Sequence, residues 1–166
     1  MSLESVQHHV VYNAQHKVLI CKTHQCGITD VRHFRGQDHV KMSTKTRLQI
    51  RVATQHLEMP NPSDIKEPPS TAFPIDDLEL IKDGFKCKIC EYLAGTFNTM
   101  EEHCRIEHGR KAKDEIMWTA QAMQTFFSGK YIDKLYLILG KYTKYFAVTL
   151  PISSENQTIT DQMIEG

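Results

Sequence analysis

Apolar side chains fall in short bursts along this chain, and their spacing changes from burst to burst. Residues 10–20, VVYNAQHKVLI, are dense in Val, Ile and Tyr and predict a strand running into Cys21. Over 43–57, STKTRLQIRVATQHL, the period becomes helical: Ile50, Ala53 and Leu57 share one face, and Ser43 or Thr44 can cap the start. Residues 114–129, DEIMWTAQAMQTFFSG, show the same period. Asp114 can cap a helix there, Ile116, Ala120, Met123 and Phe127 line one face, and Gly129 can end it. Residues 131–150, YIDKLYLILGKYTKYFAVTL, predict two strands turning near Gly140.

Between the first helix and the later elements the pattern lapses. The segment EMPNPSDIKEPPSTAFPIDD holds Pro60, Pro62, Pro68, Pro69 and Pro74. Proline fixes φ and removes an amide donor, so an extended connector is expected, with Ile65, Phe73 and Ile75 able to pack. This divides the chain into an N-terminal unit at 10–58, a Pro-rich connector at 59–77, a second unit at 78–150 and a frayed tail at 151–166.

Composition narrows the classes. Apolar residues make up 40% of 166 residues, close to a globular average. No run of eighteen apolar residues exists, so no membrane partner is expected. The start, MSLESVQHHV, carries no charged-then-apolar leader, and five cysteines do not pair off, which points to reduced thiols inside a cell. Lys+Arg and Asp+Glu both number 20, so any basic footprint must come from uneven distribution.

The chemistry sits in two Cys/His clusters. The stretch CKICEYLAGTFNTMEEHCRIEH has the spacing Cys87-x2-Cys90-x12-His103-x4-His108. Two cysteines three apart can bracket a tight turn, and two histidines five apart can reach the same point from a helix end, which suits tetrahedral zinc. Asn98 with Glu101 makes a capping-box pattern for that helix, and Phe85, Phe97 and Met100 supply a small core. A unit of about 25 residues buries too little apolar surface to fold alone, and metal binding can supply about 10–16 kcal/mol in its place. Cys104 reads as a bystander thiol.

The first half carries a looser version, CKTHQCGITDVRHFRGQDH. The best four ligands are Cys21, Cys26, His33 and His39, with His24 an alternative inside the cysteine loop. His8, His9, His16 and His56 have no partners at ligand spacing.

A finger of the second type reads DNA from three helix positions, here Thr96, Thr99 and Glu102. None is a bidentate purine reader, and Glu101 and Glu102 would meet phosphates with like charge. Basic residues follow each cluster instead: Lys41, Lys45, Arg47 and Arg51 after the first, Arg105, Arg110, Lys111 and Lys113 after the second. They allow salt-dependent phosphate contacts.

Five motifs in order, VLICKTHQCGI, RHFRGQDH, PIDDLELIKDGFKCKIC, MEEHCRIEH and the Trp118 to Phe127 segment, resemble the fungal orsellinic acid biosynthesis cluster protein D-like family, an uncharacterised group with paired Cys/His fingers. The resemblance spans about residues 10–150. It implies two zinc ions, held at Cys21, Cys26, His33 and His39 and at Cys87, Cys90, His103 and His108, in a fungal protein of the nucleus or cytoplasm.

The fold class expected is α+β: two C2H2-type zinc-finger-like units, each with short strands and a helix, joined by the connector. The expected function is a zinc-binding module that contacts DNA or RNA through phosphates with little base specificity. The alternative is a zinc-stabilised protein-interaction or scaffold module, or a fragment of a larger mobile-element or helicase-associated protein. No enzyme and no small-molecule substrate are expected, because four ligands close each site.

Overall fold

The computed structural model describes residues 2–128 and 144–152. Among them lie seven strands in two antiparallel sheets and two α-helices, a small mixed fold of the class expected from the sequence.

The segment at 10–20 is a hairpin rather than one strand. β1 (Val10–Asn13) pairs with β2 (Val18–Cys21), and β3 (Cys26–Ile28) closes a three-stranded sheet in the order β1-β2-β3. The turn residues explain the correction. Asn13 Oδ1 accepts the His16 amide at 3.0 Å, and Lys17 takes a left-handed φ of 56°. The run VLIC is apolar at every position because β2 is covered on both faces. Leu19 and Cys21 enter one core with Val10, Phe34, Ile50 and Ala53, while Val18 and Ile20 enter another with Leu78, Phe126, Phe127, Phe146 and Val148.

α1 (Thr44–Thr54) is the helix expected at 43–57. The Ser43 hydroxyl accepts the Thr46 amide at 3.0 Å, and Ile50 and Ala53 are buried. The proline-rich connector then crosses the molecule and is tied down. Gln124, fully buried, accepts the Ile75 amide at 2.8 Å and donates to the carbonyls of Ile75 and Leu78 at 2.9 and 3.0 Å. Ile65 and Ile75 pack against the second core, whereas Phe73 stays exposed.

The second sheet has the order β5-β4-β6-β7, built from β4 (Ile81–Cys87), β5 (Leu93–Ala94), β6 (Trp118–Thr125) and β7 (Tyr145–Ala147). α2 (Phe97–His108) packs on β4 and β5. Thr96, not Asn98, is its N-cap, accepting the Thr99 amide at 3.3 Å, and Gly109 ends it at a left-handed φ of 63°.

β6 corrects the helix expected at 114–129. Four apolar residues at helical spacing are outvoted by pairing on both sides, to β4 through Cys87–Trp118, Phe85–Ala120 and Ile81–Met123, and to β7 through Met123–Ala147. Ile116 and Ala120, two members of the expected apolar face, are exposed. Of the strands expected at 131–150, β7 falls within the described residues; Gly129, the turn near Gly140 and the tail from 153 lie outside them.

The two halves share a core, since Val18 and Ile20 of the first sheet pack with Phe126, Phe127 and Phe146 beside the second. The join is close. The Gly27 amide donates to the Phe126 carbonyl, and a Cβ at Gly27 would lie 2.7 Å from that oxygen and 2.8 Å from Val18 Cγ1.

Candidate metal centres

The second centre forms as its spacing predicts. Cys87 ends β4, Cys90 lies in the turn to β5, and His103 and His108 project from the last two turns of α2. Glu91 closes the turn at a left-handed φ of 64°, and its amide donates to the Cys87 carbonyl at 3.2 Å. Cys87 Sγ lies 3.4 Å from His108 Nε2, and Cys90 Sγ lies 3.1 Å from His103 Nε2 and 3.4 Å from His108 Nε2. A tetrahedron with metal–nitrogen bonds of about 2.0–2.1 Å and metal–sulfur bonds of about 2.3 Å has edges of about 3.3–3.8 Å; the two 3.4 Å separations fall in that range and the 3.1 Å one lies a little below it, a spacing able to take one ion. Burial alone would push the Cys87 thiol up, but the backbone amides of Cys90 and Ile89, with the Cys90 and Cys104 side chains, hold it below its usual range. That favours the thiolate, the form that binds metal.

The supporting shell is small. Met100, Cys104, Ala94 and Trp118 surround Cys87 in the third core, with Phe85 packed beside it and Phe97 half exposed. Tyr92 stacks on the His103 ring at 4.1 Å, and the Arg110 guanidinium lies 5.0 Å over Trp118. Cys104 is buried in this core outside the ligand quartet.

The first centre gathers Cys21, His24, His33 and His39, with all four ligand atoms within 4.8 Å of one another. Cys21 comes from the end of β2, and His24 from the turn to β3. His33 and His39 come from two 3-10 turns, Val31–Arg35 and Gln37–His39. Cys21 Sγ lies 3.8 Å from His24 Nδ1 and 3.6 Å from His39 Nε2. His33 Nε2 lies 3.0 Å from His24 Nδ1 and 3.1 Å from His39 Nε2. The second nitrogen of His24 lies 3.8 Å from the Asp38 carboxylate, an ion-pair distance too long for a hydrogen bond. Burial, then the neighbouring His24, keeps His39 below the usual histidine range and so in the neutral ligand form.

Cys26 sits differently. It lies across from Cys21 in the β2–β3 pairing, buried, and is not a member of the gathered quartet. Burial, then the charge of Cys21, pushes its thiol up to about 12, against the opposing Ser128 amide. The signal for His24 in the sequence is its place three residues after Cys21, the same interval that separates Cys87 and Cys90. Residues Gln25, at φ 51°, and Cys21 shape the turn that brings His24 back over the sulfur.

Two four-residue Cys/His groups, each able to hold a metal ion, set in a small fold of two sheets and two helices, define a small α+β protein with paired Cys/His clusters among the described residues. The family model described as orsellinic acid/F9775 biosynthesis cluster protein D matches residues 8–109, and the chain belongs to that family. It is 29% identical over 143 residues to the Orsellinic acid/F9775 biosynthesis cluster protein D of Emericella nidulans, a match covering 83% of this chain and 25% of the relative. The chain thus spans about a quarter of that relative's length. No solved structure matches it. Among the described residues, no helix is long and apolar enough to cross a membrane.

Proposed function

We propose that this chain is a non-catalytic zinc module that binds nucleic acid through phosphate contacts, with little base specificity. Zinc suits the donor sets, sulfur and imidazole at tetrahedral spacing, and four ligands at each centre leave no position for substrate. The observation that carries the nucleic-acid reading is the segregation of charge. The chain is neutral as a whole, yet four arginines line one cleft beside the first centre, while Glu102 and Glu107 line the exposed side of α2. With Phe97 as its first residue, α2 presents Thr96, Thr99 and Glu102 at the base-reading positions. Thr96 and Thr99 are occupied with each other at 2.8 Å, and Glu102 with Arg105. A nuclear or cytoplasmic location accords with the reduced thiols.

The reading is tested by titrating zinc-loaded protein into labelled oligonucleotides of unrelated sequence at rising salt. Affinity should be similar across sequences and fall steeply with salt. Affinity that ignores salt removes the reading. It would favour the second one, a protein-interaction module, for which Ile89, Tyr92 and Ile106 stand exposed around the second centre.

A further inference from the structure

The nucleic-acid reading above leaves the contact surface unassigned. We propose that the cleft between the Val31–Arg35 turn and α1 is the site that holds the phosphodiester backbone, and that the first metal centre builds its wall.

The cleft has a volume of about 720 Å³. Arg32 and Arg35 line it from the turn, and Arg47 and Arg51 from α1. Arg47 and Arg51 are four residues apart, one above the other on successive turns of the helix. The acidic group in the cleft is Asp30. It is committed locally, capping the turn through the Arg32 amide at 2.7 Å and pairing with Arg32 Nε at 2.8 Å. Arg35 and Arg51 have no ion pair or hydrogen bond among the described residues. Arg47 donates one Nη to the His39 carbonyl at 3.1 Å and leaves its buried Nε without a hydrogen-bond partner. With Arg32 paired to Asp30, the four guanidiniums and one carboxylate leave a surplus of three positive charges, which suits an anion. Guanidinium is the side chain best matched to phosphate oxygens. Groups spread over two elements suit a chain of phosphates better than a single small ion.

The metal enters through geometry. His33 lies within the turn that carries Arg32 and Arg35, and His39 supplies the carbonyl that holds Arg47. An ion bound by His33 and His39 would therefore fix both walls. Its charge would add to theirs, because one thiolate and three neutral imidazoles leave a dication with a surplus of one.

The test is fluorescence anisotropy with a labelled single strand and a labelled duplex, using the zinc-loaded full chain. The variant is Arg35→Ala with Arg51→Ala, two exposed groups that make no hydrogen bond among the described residues, so circular dichroism and metal content should match the parent. Binding to one or both probes should weaken on the order of tenfold, and the slope of log K against log salt should flatten by about 1–2. The control pair Lys111→Ala with Lys113→Ala, beyond the second centre, should bind as the parent does. If the arginine variant binds as tightly and with the parent's salt slope, this assignment is overturned and the nucleic-acid reading survives. It is overturned in the same way if the lysine pair loses as much. If the parent binds neither probe at any salt, or a poly-glutamate peptide competes as well as an oligonucleotide, both readings fall.

Discussion

Replacing His24 by Ala should strip the first centre of its metal, whereas replacing Cys26 by Ser should not. The reasoning rests on geometry. His24 Nδ1 lies 3.0 Å from His33 Nε2 and 3.8 Å from Cys21 Sγ, within the 4.8 Å that encloses the quartet. Cys26 is outside that set. Structural zinc supplies about 10–16 kcal/mol of apparent free energy over four ligands, so one ligand carries on the order of 3–4 kcal/mol, or 10²–10³-fold in affinity. Under competition with a chelator of intermediate strength, wild type should hold two equivalents, His24→Ala one, and Cys26→Ser two. Cys26→Ser should still lower the melting temperature, because a buried thiol becomes a buried hydroxyl at a cost of about 1–2 kcal/mol. Metal content and stability thus separate in that variant. Cobalt loading adds an independent reading: sulfur-to-metal charge transfer should be weaker at the first centre, with one thiolate, than at the second, with two. Loss of an equivalent in Cys26→Ser, with both retained in His24→Ala, would refute the assignment.

Other outcomes follow from single contacts. Gly27→Ala should destabilise by about 2–4 kcal/mol in chemical denaturation, since the new Cβ meets the Phe126 carbonyl, backbone that cannot step aside; a loss below a few tenths would mean that the two halves are not locked there. Gln124→Leu should cost about 2–4 kcal/mol and open residues 66–74 to limited proteolysis, because three hydrogen bonds hold the connector to that amide; unchanged cleavage would deny it that role. Gln25→Gly should hold or raise the melting temperature by about a degree or more. The left-handed φ of 51° suits glycine, and the bond to the Glu79 amide uses the backbone carbonyl; a clear fall would assign the Gln25 side chain a contact of its own.

What could be read from the chain follows how local each feature is. The second centre was legible because its four ligands lie between 87 and 108 and are set by one turn and one helix. α1 was legible through Ser43, Ile50 and Ala53. The first centre was legible as a cluster, but not as an assignment between Cys26 and His24. That choice depends on how the turn before β3 folds back, which spacing does not encode. β6 was misread because Ile116, Ala120, Met123 and Phe127 fit a helix in isolation, while the deciding partners, β4 and β7, lie far away in sequence. The arginine cleft was half visible. Arg47 and Arg51 stand out after the first cluster, but Arg32 and Arg35 join them only through the fold.

The two centres bear differently on the structure around them. The sheets meet in a core drawn from both halves, with Val18, Ile20, Phe126, Phe127 and Phe146, and none of the eight sequence-predicted ligands belongs to it. The Cys/His groups instead hold what the sheets cannot. At the first centre these are two short 3-10 turns, which have few backbone bonds of their own. At the second they are α2 and the two-residue strand β5, backed by a third core of only five buried side chains. Ordering such segments costs about 1–2 kcal/mol per residue in backbone entropy alone, more than so few buried groups return. Metal should therefore govern the surface segments more than the shared core. The segments it would order are the ones that carry the arginine cleft and the exposed face of α2, so under the proposed function stripping the metals should weaken phosphate binding before it unfolds the sheets.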